Sequence, residues 1–137
     1  MSPSPSPRGW SFGEPAGPSE ASRTLEIDAL DSLRFDPALV RVWPGEVVTF
    51  RVHNAGALAH EFMIGTEADQ TEAEVRAARG PAEARHGPDG LRLDAGETAE
   101  LTWRFSASST VPVFFACHVQ GHFPAGMRGR IRVEHER

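Results

Sequence analysis

The chain has 137 residues, 39% of them hydrophobic, enough for one domain with a sizeable core. Its net charge is −5, and its basic residues are all Arg with no basic run, which argues against nucleic-acid binding and against a polybasic membrane anchor. No stretch approaches the roughly 18 apolar residues of a transmembrane helix, and a single Cys excludes an internal disulfide.

Residues 1–22 are rich in Pro, Ser and Gly, with Trp10 and Phe12 as the bulky apolar groups. Such a segment buries too little surface to offset its ordering entropy, so it reads as a tail on which those two side chains could dock. Its first seven residues alternate Ser and Pro and lack the apolar core of a signal peptide. The expectation is a chain made without a leader, or written without the one it had. A single domain is expected over residues 23–134.

From Thr24 the pattern turns to strands. Leu25, Ile27 and Ala29 alternate with Glu26 and Asp28, the period of a half-buried strand. Leu39 to Trp43 is a second run, closed by Pro44-Gly45. Val48, Phe50 and Val52 share one face of a third, which ends at Asn54-Ala55-Gly56. Glu61 to Ile64 is short and apolar. Thr66 to Arg79 is rich in Ala and Glu and predicts one helix, with Thr71 and Glu74 spaced as a capping box and Gly80-Pro81 as the stop. Thr98–Phe105, Val111 to Ala116 and Gly129 to Val133 complete the strand runs. About seven to eight short strands with Gly and Pro turns and one inserted helix predict an all-β fold, an antiparallel Greek-key β-sandwich.

The stretch that carries chemistry runs from Cys117 to Met127. It spaces a thiolate (Cys117), an imidazole (His122) and a thioether (Met127) five residues apart, in a loop between two strands. Two His and one Cys around copper, with a long, weak axial Met, are the ligands of a blue-copper site. The second His must come from elsewhere, and His60, after the Asn54–Ala59 loop and at the start of an apolar run, is the best candidate. The metal set is therefore His60, Cys117, His122 and Met127, holding one type 1 copper ion.

Plainer readings weigh less. A buried inert Cys is the default for Cys117 alone. A Cys–His nucleophile would leave Met127 without a role and lacks an oxyanion-hole Gly run. Structural zinc sites favour two or more Cys and do not recruit Met. Among the other His residues, His53 reads as solvated, His135 as C-terminal and frayed, and His86 as a loop residue with a small chance of touching a second metal. His118, next to Cys117 in extended chain, points to the opposite side and reads as a surface residue. Met63 reads as core, and Glu72 with Arg76 as an i,i+4 pair on the helix.

Over Thr24 to Val133 the chain resembles the cupredoxins. The Cys-x4-His-x4-Met spacing is like that of auracyanin and rusticyanin. The runs HEFMIGT, AGETAELTWRF and FACHVQGHFPAGMRGRI are similar to bacterial periplasmic cupredoxins, some of them linked to copper tolerance. The resemblance implies a cupredoxin-like sandwich, a monomer and a periplasmic or otherwise extracytoplasmic location. It also implies a one-electron carrier rather than an enzyme, meeting redox partner proteins transiently. The electron port would be the His122 ring edge within an apolar collar of Phe123, Pro124, Ala125 and Gly126. Copper tolerance or delivery is the alternative, which the scarcity of spare Met and His disfavours. One position departs from plastocyanin and azurin. They carry Asn directly after the first ligand His, tying two loops together, whereas this chain has Glu61, which when ionised cannot donate.

Overall fold

In the computed structural model, which describes residues 10–80 and 87–134, the described segments form ten strands and one α-helix, with a short 3-10 helix at Pro18–Glu20. They are β1 (Gly13–Pro15), β2 (Arg23–Leu30), β3 (Arg34–Asp36), β4 (Leu39–Val42), β5 (Val47–Asn54) and β6 (His60–Gly65), followed by α1 (Glu67–Ala78). After the helix come β7 (Gly90–Leu93), β8 (Thr98–Phe105), β9 (Val113–Ala116) and β10 (Arg128–Val133). Two five-stranded sheets result, ordered β1-β8-β5-β2-β3 and β4-β10-β9-β6-β7. The sandwich with one inserted helix is as expected, but it is not purely antiparallel. The pairs β2/β5 and β4/β10 run parallel. Between the members of each pair the chain visits the opposite sheet, and such a crossover allows parallel return.

The core fills the gap between the sheets, where one face of each strand is apolar. Phe35, Phe50 and Phe105 come from the first sheet, and Phe62 and Phe115 from the second. Their rings meet at centroid distances of 5.2 Å for Phe35–Phe115, 5.5 Å for Phe50–Phe62 and 6.2 Å for Phe50–Phe105. The Phe35–Phe115 and Phe50–Phe62 contacts bind the two layers together, while Phe50–Phe105 packs within the first sheet.

The sequence predicts a tail over residues 1–22, yet its described part is packed on the domain. Phe12 is 2% exposed and stacks on Trp103 at 5.0 Å, while Trp10 meets the same indole edge-on at 5.2 Å. Gly13–Pro15 adds an edge strand to β8. The close approach requires a glycine: at Gly13 the backbone has φ +145°, and a Cβ would lie 2.0 Å from the Arg104 carbonyl oxygen. Two aromatic side chains and one Gly outweigh the low-complexity composition around them.

The cap of helix α1 lies five residues earlier than the Thr71–Glu74 spacing suggests. Its N-cap is Thr66, whose hydroxyl accepts from the Asp69 N–H while the Asp69 carboxylate accepts from the Thr66 N–H. Thr71 and Glu74 lie inside the helix, and Thr71 Oγ1 back-bonds to the Glu67 carbonyl. Gln70, fully buried, fastens the helix to the second sheet by donating to the Met63 and Phe114 carbonyls. The Glu72–Arg76 pair forms at 2.6 Å, and Met63 is buried as expected. No described helix is long and apolar enough to cross a membrane.

Candidate metal centre

The first residue of β6 is His60, and Cys117 directly follows the last residue of β9. These strands are neighbours in the second sheet, so the two side chains start from adjoining strand ends. The loop from Cys117 to Met127 folds back on itself through backbone bonds. Cys117 N–H donates to the Met127 carbonyl, Met127 N–H to that of His122, and His122 N–H to that of Val119. A loop cross-linked in this way returns His122 to within reach of Cys117 without relying on the metal.

Donor atoms of His60, Cys117 and His122 all lie within 4.8 Å of one another, the one such cluster among the described residues. Cys117 Sγ and His122 Nδ1 are 3.3 Å apart, and the two imidazoles lie with centroids 5.1 Å apart. His60 and Cys117 are fully buried, and His122 is 7% exposed. Met127 is also fully buried, and its backbone is bonded to both Cys117 and His122.

Hydrogen bonding bears on whether a metal fits. His60 Nε2 is bonded to Asp31 Oδ1 at 3.0 Å, whereas Nδ1 is buried with no hydrogen-bond partner. A bare nitrogen at zero exposure costs about 1–3 kcal/mol unless something binds it. A metal ion among these three donors removes that penalty. Cys117 Sγ accepts the Glu61 N–H at 3.3 Å. Burial pushes the Cys117 thiol up to about 11, and the Glu61 and Glu74 carboxylates push the same way. Without a metal the sulfur is thus a neutral thiol. Burial also lowers the His122 pKa, with the neighbouring His60 acting in the same sense, so the imidazole stays neutral and able to coordinate. One thiol, two imidazoles and a buried thioether form a donor set suited to copper.

The loop-tying task that Asn performs in plastocyanin and azurin is here carried by backbone and by a different residue. The Glu61 N–H reaches across to Cys117, while the Glu61 carboxylate, nearly buried, pairs with Arg92 at 3.3 Å. The other tie is Asp31, invisible in the sequence because nothing in its spacing connects it to His60.

His118 corrects an expectation. It does point away from the cluster, but it is 3% exposed and not at the surface, because α1 covers that side of the sheet. Its Nδ1 is bonded to Glu74 at 2.9 Å and its Nε2 to Gln70 at 2.7 Å. Phe123 is partly withdrawn from the expected collar. Its ring lies 4.8 Å from that of His118 and 5.7 Å from the Arg128 guanidinium. Pro124, Ala125 and Gly126 are exposed beside His122. His53 bonds Thr98 on its own strand pair and takes no part in the centre. His86 and His135 lie outside the described residues.

Comparison with known proteins places this geometry. The family described as copper binding proteins, plastocyanin/azurin family, matches residues 21–134. A protein of Rubrivivax gelatinosus named copper-resistant cuproprotein CopI is 37% identical over 89% of this chain and 73% of its own length. A protein of the same name from Pseudomonas aeruginosa is 31% identical over 92% and 84%. Among solved structures, reduced auracyanin from Roseiflexus castenholzii superposes with a TM-score of 0.69 at 25% identity, covering 83% of this chain and 98% of that one. Auracyanin B gives 0.71 at 23% identity, covering 90% and 96%, a likeness of fold.

Proposed function

The chain belongs to the plastocyanin/azurin family of copper-binding proteins, and from that premise we propose that it is a one-electron carrier with a single copper that His60, Cys117 and His122 would hold, together with the Met127 thioether as a weak ligand. The observation that carries this reading is the buried trio of donors with an otherwise unsatisfied His60 Nδ1. Copper bound there supplies a couple between its cuprous and cupric states.

The residues divide the remaining work. Cys117 gives up its proton on binding and offers a soft sulfur, whose charge is tempered by the Glu61 N–H. His60, fully enclosed, excludes water from its side of the centre. His122 alone among the three donors reaches the surface, at 7% exposure, and serves as the port. The exposed Pro124, Ala125 and Gly126 let a partner approach without stripping water from charged groups. Donors fixed by strand ends and backbone bonds move little between oxidation states, which keeps reorganisation small. Partners are redox proteins met transiently, the chain acts as a monomer, and it works in the periplasm.

A second reading, copper tolerance, is favoured by one specific observation: the relatives from Rubrivivax gelatinosus and Pseudomonas aeruginosa are named copper-resistant cuproproteins. The two readings separate experimentally. A carrier binds one copper per chain, and Ala125→Asp slows electron self-exchange while copper content and colour persist, because like charges then meet at the contact. A tolerance protein raises the copper survival of a sensitive bacterial strain in a manner abolished by Cys117→Ser. Self-exchange indifferent to Ala125→Asp, with more than one copper per chain, would refute the carrier reading and leave the second.

A further inference from the structure

Asp31 sits in the turn between β2 and β3, far in sequence from the four candidate ligands, yet one carboxylate makes three contacts at the centre's edge. Its Oδ1 accepts from the Leu58 N–H at 3.2 Å and is bonded to His60 Nε2 at 3.0 Å, and its Oδ2 accepts from the Ala57 N–H at 2.7 Å. The contact is built in by a glycine. A Cβ at Gly56 would lie 2.0 Å from Asp31 Oδ1 and 2.4 Å from its carboxyl carbon. An ionised carboxylate can only accept, so the proton of the bond belongs to His60 Nε2. That choice leaves Nδ1 as the bare lone pair, which is the buried nitrogen without a hydrogen-bond partner. Asp31 thus selects the tautomer and holds both the ring and the loop that leads into it.

We propose that Asp31 is a positioning residue for the copper centre, fixing His60 as the Nε2–H tautomer and, through its negative charge, favouring the cupric over the cuprous state. The inference rests on the reading of His60 as a copper ligand. Its physical basis is twofold. A carboxylate behind a ligating imidazole fixes its orientation and raises its basicity. The same negative charge interacts more favourably with the more highly charged ion, and the interaction is tempered because the Asp31 side chain is 38% exposed.

The experiment uses the full chain. In the copper-free wild-type protein at neutral pH, nitrogen-15 shifts of the His60 ring report Nε2 protonated and Nδ1 bare; the opposite tautomer overturns the proposal without any variant. In the copper-loaded protein, Asp31→Asn removes the charge and keeps an acceptor oxygen. Cupric affinity is expected to fall about tenfold with cuprous affinity nearly unchanged, so the reduction potential rises by about 59 mV per tenfold change in their ratio. Gly56→Ala retains the charge but drives the carboxylate away from the ring, and it shifts the potential in the same direction. Potentials equal to wild type in both variants would overturn the proposal, since a purely structural latch would alter melting and leave the potential alone. His60→Ala separates the two levels. Loss of the visible band there keeps the ligand reading whatever Asp31 does, whereas a wild-type band overturns that reading and the inference with it.

Discussion

Copper loading should depend steeply on pH, because the thiol that must ionise is held protonated by its surroundings. Burial pushes Cys117 up to about 11, so at pH 7 only about one copper-free molecule in ten thousand carries the thiolate. Binding then releases one proton per chain. The apparent cupric affinity should rise about tenfold for each pH unit between 7 and 9, or about 1.4 kcal/mol per unit. His122 adds nothing to that slope, since its lowered pKa leaves it already neutral there; below that pKa the slope steepens. A competition titration against a chelator of known proton dependence gives the slope, and dye-detected proton release in weak buffer gives the count. The copper-free protein supplies a second arm. Between the unfolded thiol's pKa of about 9 and the folded value of about 11, the unfolded chain has lost its proton while the folded one keeps it. Stability is therefore full below pH 9 and falls by about 1.4 kcal/mol per unit above it, roughly 3 kcal/mol in all. A pH-independent affinity between 7 and 9, with no proton released, would refute the reasoning.

Three further outcomes follow from the packing. Met127→Leu should keep copper and colour with a raised reduction potential by voltammetry, because an axial thioether bond is weak; complete loss of copper would show that Met127 has a structural task instead. Phe12→Ala should cost about 3–5 kcal/mol in a denaturant melt of the copper-free protein, since the ring is 2% exposed and stacked on Trp103, whereas a cost under 1 kcal/mol would mean that the segment does not dock. His118→Ala should lower stability by about 1–3 kcal/mol by stranding its buried partner Gln70, with one copper per chain retained on elemental analysis.

What the sequence discloses and what it hides follow physical lines. Strands with strict alternation, such as Thr98–Phe105 with Leu101, Trp103 and Phe105 inward, are legible because one buried face repeats every second residue. The short strands Gly13–Pro15, Arg34–Asp36 and Gly90–Leu93 span too few residues to show a period, and they exist through pairing with longer neighbours. The cysteine loop is legible because three of the candidate donors lie within eleven residues. His60 is reached only by asking which strand end remains. Asp31 is not legible at all, for its link to His60 spans 29 residues and depends on how two loops approach. The burial of His118 is hidden for a similar reason: extended-chain geometry gives the side on which it lies, but not that Gln70 and Glu74 of α1 cover that side.

The central claim is that His60, Cys117 and His122 hold one redox-active copper, with the thiolate as its defining bond. Titrating cupric ion into the copper-free protein while recording the visible spectrum tests it most directly. An intense thiolate-to-copper band that saturates at one equivalent, and is absent in Cys117→Ser, is the result expected. A colourless wild-type protein, or a Cys117→Ser variant of equal colour, would contradict it.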